Sequence, residues 1–187
     1  MRFWITEYAA QTVRMRPGHD IRRGGPEDLP LLEPLWVSVH HAHAASMPEL
    51  APYVDDATTW AERSALYAEL LGKEGTVLLL ATAGDALVGY GLAHVMGAGG
   101  SWAADTWVTG PQIGEIESLA VLPDHRGRGL GSELLDRLEH ELRLQDVTDL
   151  MLGVLPGNVG AMRLYERRGY RPTWMYMSRF GEGPGVR

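Results

Sequence analysis

The stretch that most constrains this fold runs from Ile113 to Leu144. A strand, Ile113 to Leu122, leads into a turn with glycine at 127, 129 and 131. Leucines follow at 130, 134, 135, 138 and 142. Their spacing places them on one stripe of an α-helix over Gly129 to Leu144. A strand that passes through three glycines into an amphipathic helix predicts a sheet with that helix packed on it. Glycine lets backbone approach a ligand closely and adopt positive φ. The free N–H groups of the helix start, with the helix dipole, then form an anion site. His125, Arg126 and Arg128 add positive charge there. A phosphate or pyrophosphate is the natural ligand, with an ordinary turn as the plain alternative. The dinucleotide fingerprint lacks its third glycine, and the Walker A pattern lacks its Lys-Ser/Thr.

The flanking elements alternate in type. Asp20 to Arg23 reads as a short strand. Pro26-Glu27-Asp28 opens a helix with acids in its first turn, and Leu31, Leu32, Leu35, Val39 and Ala42 form its apolar face. A second helix is expected from about Thr58, as N-cap, to Leu71, with Gly72 as its stop. Thr76 to Ala83 and Ala86 to Met96 read as two strands joined by Gly84-Asp85 in a hairpin. Gly97 to Pro111 is a loop. Leu150 to Leu155 is a strand, Asn158 to Arg168 a helix capped by Asn158 and stopped at Gly169, and Tyr170 to Phe180 a last strand. The sum is an α/β chain with a mixed sheet. It divides into an N-terminal arm (1–19), one domain (20–180) and a flexible tail (181–187).

Composition narrows the function. The chain has 187 residues, which fits one domain. Its 17 Lys and Arg against 24 Asp and Glu give a net charge of −7. Nucleic-acid binding needs many cationic contacts, so no nucleic-acid partner is expected. The balance mildly favours cationic substrates. Cysteine is absent. Disulfides, thiolate metal sites and a cysteine nucleophile are therefore excluded. No apolar stretch suggests a membrane span and the first residues do not read as a secretory signal, so a cytoplasmic location is expected.

Two motifs carry a family resemblance. Arg126-x-x-Gly129-x-Gly131, after Leu119-Ala120-Val121, resembles the acyl-CoA-binding motif of the GCN5-related N-acetyltransferases. Asn158-x-x-Ala161-x-x-Leu164-Tyr165-x-x-x-Gly169-Tyr170 is similar to that family's C-terminal motif. Ile21-Arg22 followed by Pro26-Glu27-Asp28-Leu29 is similar to its first strand and helix. The resemblance covers roughly residues 20–180. It implies a mixed, largely antiparallel sheet whose fourth and fifth strands splay, with acetyl-CoA in the opening.

The resemblance also implies roles. Backbone groups of Leu119, Ala120 and Val121 would bond the pantetheine arm. Amides of Arg126, Gly127, Arg128, Gly129, Leu130, Gly131 and Ser132 would hold the pyrophosphate. Asn158 would sit beside the pantetheine, and Tyr165 would protonate the leaving thiolate. A backbone amide, that of Val121 or Leu119, would polarise the thioester carbonyl. The expected reaction is direct acetyl transfer to a primary amine in a ternary complex, with a small molecule as the favoured acceptor. A protein N-terminal or lysine amine is the rival acceptor, and a non-catalytic acyl-CoA sensor the rival class. Family members commonly dimerise through their last strands, so a homodimer is an open expectation.

The amine arrives protonated, and something must take its proton. Glu115 and Glu117 alternate by two on a strand and face the same way if no bulge intervenes. Glu117, nearer the thioester-binding residues, is the favoured base, and a solvated strand face is the plain alternative for each. His40, His41 and His43 lack the spacing of a metal site, and no metal is expected. Asp55 and Asp56 read as a solvated helix approach. Trp36, Trp60, Trp102 and Trp107 either line the acceptor pocket or fill the core. Arg163, Arg167 and Arg168 read as a solvated face from which one could reach the CoA 3′-phosphate.

Overall fold

In a computed structural model, which describes residues 18–180, five strands form one sheet in the order β1-β2-β3-β4-β5. They are β1 (Asp20–Arg23), β2 (Val77–Ala83), β3 (Ala86–Gly97), β4 (Gln112–Val121) and β5 (Asp149–Leu152). The first four pair antiparallel, and β5 pairs parallel to β4. The helices are α1 (Glu33–Ser46), α2 (Asp56–Leu71), α3 (Leu130–Arg143) and α4 (Val159–Arg167). Most of the N-terminal arm and the whole tail expected from sequence lie outside the described residues.

Two apolar layers enclose the sheet. On one face Val77, Leu79, Ala81 and Ile116 meet the five leucines of α3, all of them buried. On the other, Leu78, Leu80, Tyr90 and Leu92 meet Leu32, Leu35, Tyr67 and Leu70 from α1, α2 and the turn before α1. Because β2 is covered on both faces, its sequence is a continuous apolar run rather than an alternation.

Several boundaries differ from expectation. The first helix begins as a 3-10 turn, Pro26–Leu32, before the α-helix proper. Its Asp28 is a buried ion-pair partner: both carboxylate oxygens accept from Arg22, at 2.9 and 2.6 Å. The N-cap of α2 is Asp55, whose carboxylate accepts from the Thr58 amide at 2.7 Å. Tyr170 to Phe180 forms no strand. Pro172 has no N–H to donate, and Trp174 packs instead against Trp102 and Trp107 of the β3–β4 loop. Trp174, Met175, Tyr176, Met177 and Phe180 are left exposed.

Leu138 is fully buried between α3 and the sheet, whereas Leu144 at the end of the same helix is exposed. Leu138→Ala is expected to cost about 2–5 kcal/mol in urea unfolding, and Leu144→Ala under about 0.5 kcal/mol.

Candidate functional site

The site is built around an irregularity in β4. On β3, Leu92 pairs with Ser118 and Ala93 with Ile116, so Glu117 has no partner. It is the extra residue of a β-bulge. Before the bulge, Gly114 and Ile116 face α3. After it, Leu119 and Val121 face α3, while Ser118 and Ala120 face α1 and α2. The phase of the strand has reversed. Glu115 and Glu117 still point to the α1–α2 side, and Ser118 joins them there. The tyrosine hydroxyl of Tyr67 contacts both Ser118 Oγ and, at 2.9 Å, the Tyr90 hydroxyl, tying the bulge to the core.

The ladder between β4 and β5 covers only Ile113–Ile116 against Asp149–Leu152. Beyond it the strands separate, leaving the β5-facing backbone edge of residues 117–121 without a strand partner. A cavity of about 1030 Å³ opens there, with α1 and α4 contributing to its walls. An unpaired strand edge is a template for an extended, amide-bearing ligand.

At the end of β4 the turn rises into α3. Gly127 and Gly129 have φ of 73° and 90°, a conformation costly for other residues. Gly129 is the N-cap and brings no capping side chain. The amides of Leu130, Gly131 and Ser132 thus lie at an uncapped helix start that lines the cavity, ready for an anion. Arg126 lines it as well, its Nε donating to Val121 O at 2.8 Å. Of the residues expected from sequence, Glu115, Glu117, Leu119, Ala120, Val121, Arg126, Gly127, Gly129, Leu130, Gly131, Ser132, Asn158 and Tyr165 all line the cavity, and Arg128 does not. Asn158 also caps α4, accepting from the Ala161 amide at 3.2 Å. Burial pushes the Tyr165 phenol above its ordinary range, so it stays protonated.

Four contributors escaped the sequence reading or were left open by it. Arg63 of α2 forms an ion pair with Glu117, and its guanidinium lies 3.9 Å from the centre of the Trp36 ring. It lies at the position between Thr59 and Tyr67 on the buried stripe of α2, and a cation on an apolar stripe was the available signal. Trp36 lines the cavity, whereas Trp102 and Trp107 form a surface cluster with Trp174. His43 lines the cavity too, held neutral by burial and then by the charge of Arg63. His40 and His41 serve elsewhere, bonding Val54 O at 2.9 Å and Asp56 at 2.8 Å. His94, buried on β3, sits opposite Glu115 with Nε2 3.4 Å from its carboxylate.

Opposing influences act on Glu117. Burial raises its pKa most, Arg63 pulls it down, and Glu115 pushes it up. His94, Glu115 and Glu117 bring one donor atom each within 4.8 Å of one another, a set able to hold a cation. Arg63 already supplies that positive charge to Glu117.

The chain matches the Acetyltransferase (GNAT) family over residues 36–170. It belongs to that family. Mycothiol acetyltransferase of Beutenbergia cavernae is 40% identical over 76 residues, covering 40% of this chain and 26% of the relative. A ribosomal protein bS18-alanine N-acetyltransferase of Salmonella typhimurium is 42% identical over 65 residues, 30% of this chain and 44% of the relative. The chain thus spans less than half the length of these curated relatives. A GCN5-related N-acetyltransferase from Ralstonia eutropha superposes with a TM-score of 0.67 at 20% identity, covering 87% of this chain and 99% of that one. Ribosomal-protein-alanine N-acetyltransferase from Brucella melitensis gives 0.59 at 23%, with 87% and 99% coverage. At such identities the shared fold is what the likeness establishes. No helix among the described residues is long and apolar enough to cross a membrane.

Arg63→Gln would leave the half-buried Glu117 without its cation and drive its pKa further up. A carboxyl raised in the folded state favours folding below its unfolded pKa and loses that contribution as pH rises. The variant should therefore be destabilised by about 1–3 kcal/mol at pH 8 and by less near pH 4.5, read from denaturant melts at both pH values.

Proposed function

We propose that this protein transfers an acetyl group from acetyl-CoA to the primary amine of a small molecule by direct attack. The observation that carries the reading is the opening between β4 and β5. It places a free backbone edge, an uncapped helix start, two carboxylates and a half-buried phenol around one cavity. The chemistry of the donor set fits the ligand. Amides along residues 119–121 suit pantetheine, and the amides and arginine of residues 126–132 suit a pyrophosphate. The bound thioester supplies the activated acetyl group.

The chain's own groups handle the protons. Glu115 takes the proton of the incoming ammonium, because the Glu117 carboxylate is engaged by a guanidinium that stays charged. Glu117 with Arg63 and Trp36 shapes the acceptor side. Tyr165 gives its proton to the departing thiolate and regains one from the attacking nitrogen. No enzyme nucleophile is required, in keeping with a chain without cysteine.

A small acceptor is favoured by the narrow spacing at one end of the cavity. The loop after β5 lies against the end of α1, and a Cβ on Gly157 would stand 2.3 Å from Ser46 O. So close an approach of the two backbones beside the cavity-lining Ser46 and Asn158 suits a compact acceptor better than an extended polypeptide. The partial likeness to bS18-alanine acetyltransferases favours a second reading, a protein N-terminal amine. A cytoplasmic location is proposed with either. A non-catalytic sensor would have no use for the half-buried phenol and paired carboxylates.

Acetyl-CoA mixed with panels of small amines and of N-terminal peptides, followed by free-thiol release, separates the readings. Small amines should give turnover well above hydrolysis. Turnover with peptides alone would move the assignment to the protein amine, and binding without turnover would favour the sensor. Tyr165→Phe should lower kcat by about 100-fold or more with little change in KM for acetyl-CoA.

A further inference from the structure

Arg63 is held from three directions. Its Nη1 donates to Glu117 of β4, its guanidinium carbon lies 3.9 Å from the centre of the Trp36 ring, and the Tyr67 ring centre is 5.6 Å away. A side chain fixed in this way loses little further freedom when a ligand arrives. Glu117 nevertheless takes only one kind of bond from it. The Nε–Nη2 edge, which can grip a carboxylate through two parallel bonds, meets no acceptor among the described residues. The side chain is 25% exposed and lines the cavity.

His43 of α1 stands beside it. It lines the same cavity, and its ring meets the Trp36 ring edge to face at 6.2 Å. Its imidazole makes no hydrogen bond to a described residue, and in its neutral form it keeps one N–H to donate. The acceptor side therefore has two poles. Glu115, which no guanidinium engages, suits an ammonium. Arg63 and His43, both against Trp36, present donors to an anion. Carboxylate oxygens of Glu115 and Glu117 lie within 4.8 Å of each other, and Arg63 bonds Glu117, so one short molecule can reach both poles.

We propose that the acceptor is a compact amino acid, its amine against Glu115 and its carboxylate on the Nε–Nη2 edge of Arg63, with His43 adding a hydrogen bond. This rests on the acetyl-transfer reading above and narrows its substrate class. Neutralising Glu117 alone would not require a guanidinium, since a lysine ammonium carries the same charge without the two-bond edge. The charge of the anion is limited as well. Glu117 stays on Nη1, so a singly charged carboxylate fits, while a doubly charged phosphate would be repelled by both glutamates. The amide that follows the amine of a peptide N-terminus carries no charge for the edge to hold. An amino acid and its carboxamide thus separate a free amino acid from a protein N-terminus as the acceptor.

The experiment measures kcat/KM at saturating acetyl-CoA for glycine, β-alanine, 4-aminobutyrate and the α-amino acids with a primary amine, each beside its own carboxamide. In at least one pair the acid should exceed the amide by about 10- to 100-fold, as expected of a charge-assisted contact. Arg63→Lys keeps a cation for Glu117 and lacks the two-bond edge. There the acid-to-amide ratio should fall by about 10-fold or more, with KM for acetyl-CoA unchanged. A merely structural Arg63 would lower acid and amide together and leave the ratio in place, which would overturn the inference. Amides equal to or better than their acids throughout would overturn it while leaving acetyl transfer standing. Absence of transfer to any amine, simple amines included, would remove it together with the parent reading. If Arg63→Lys does not fold, His43→Phe serves instead, keeping a ring against Trp36 and removing the N–H. The ratio should then fall about 3- to 10-fold, and an unmoved ratio would overturn the inference.

Discussion

One extra residue in β4 sets the rest of the site in place. An antiparallel strand sends alternate side chains to opposite faces, so two functions on one strand normally need positions of fixed parity. The bulge at Glu117 breaks that parity. Upstream, the strand gives Glu115 to the α1–α2 side and Gly114 and Ile116 to α3. Downstream, Leu119 and Val121 anchor against α3 while Ser118 turns toward Tyr67. The acid-bearing half and the half with the unpaired edge are thereby placed end to end on one continuous strand. The short β4–β5 ladder then leaves the second half unpaired and open to the cavity.

Charge is divided along the same line. The chain is acidic overall, with a net charge of −7. Near α3 the uncapped backbone amides and Arg126 present local positive charge to the cavity, and little of it depends on net charge. Near Glu115 the two carboxylates are distinguished by their partners. One has a permanent cation stacked on an indole, and the other has a titratable imidazole. A pair of glutamates that looks symmetrical in sequence is chemically unequal once the neighbouring helix and strand are in place.

That inequality marks where sequence reading ends. The strand–turn–helix of β4 and α3 was legible because its cause is local: leucine spacing and positive-φ glycines. The C-terminal motif was legible for the same reason, with Asn158 as a cap and Gly169 at a φ of 92°. Arg63 and His94 were not, because their partners lie on β4, 54 and 21 positions away along the chain. The bulge was invisible too, since no side-chain pattern within β4 announces it. Tyr170 to Phe180 has the composition of a strand, yet Pro172 has no N–H to donate and Trp174 docks on Trp102 and Trp107, so composition alone misled.

The three indoles of Trp102, Trp107 and Trp174 stand edge to face at centroid separations of 5.6 to 6.4 Å. Aromatic rings so close exchange electronic excitation and give a near-ultraviolet circular dichroism signal that depends on their mutual angle. Trp174 reaches the group from a segment that no ladder holds, so the signal reports whether that segment stays docked. Trp36 sits apart beneath Arg63, beside the cavity. Trp36 and the trio thus report on separate places, one beside the cavity and the other at the segment after α4.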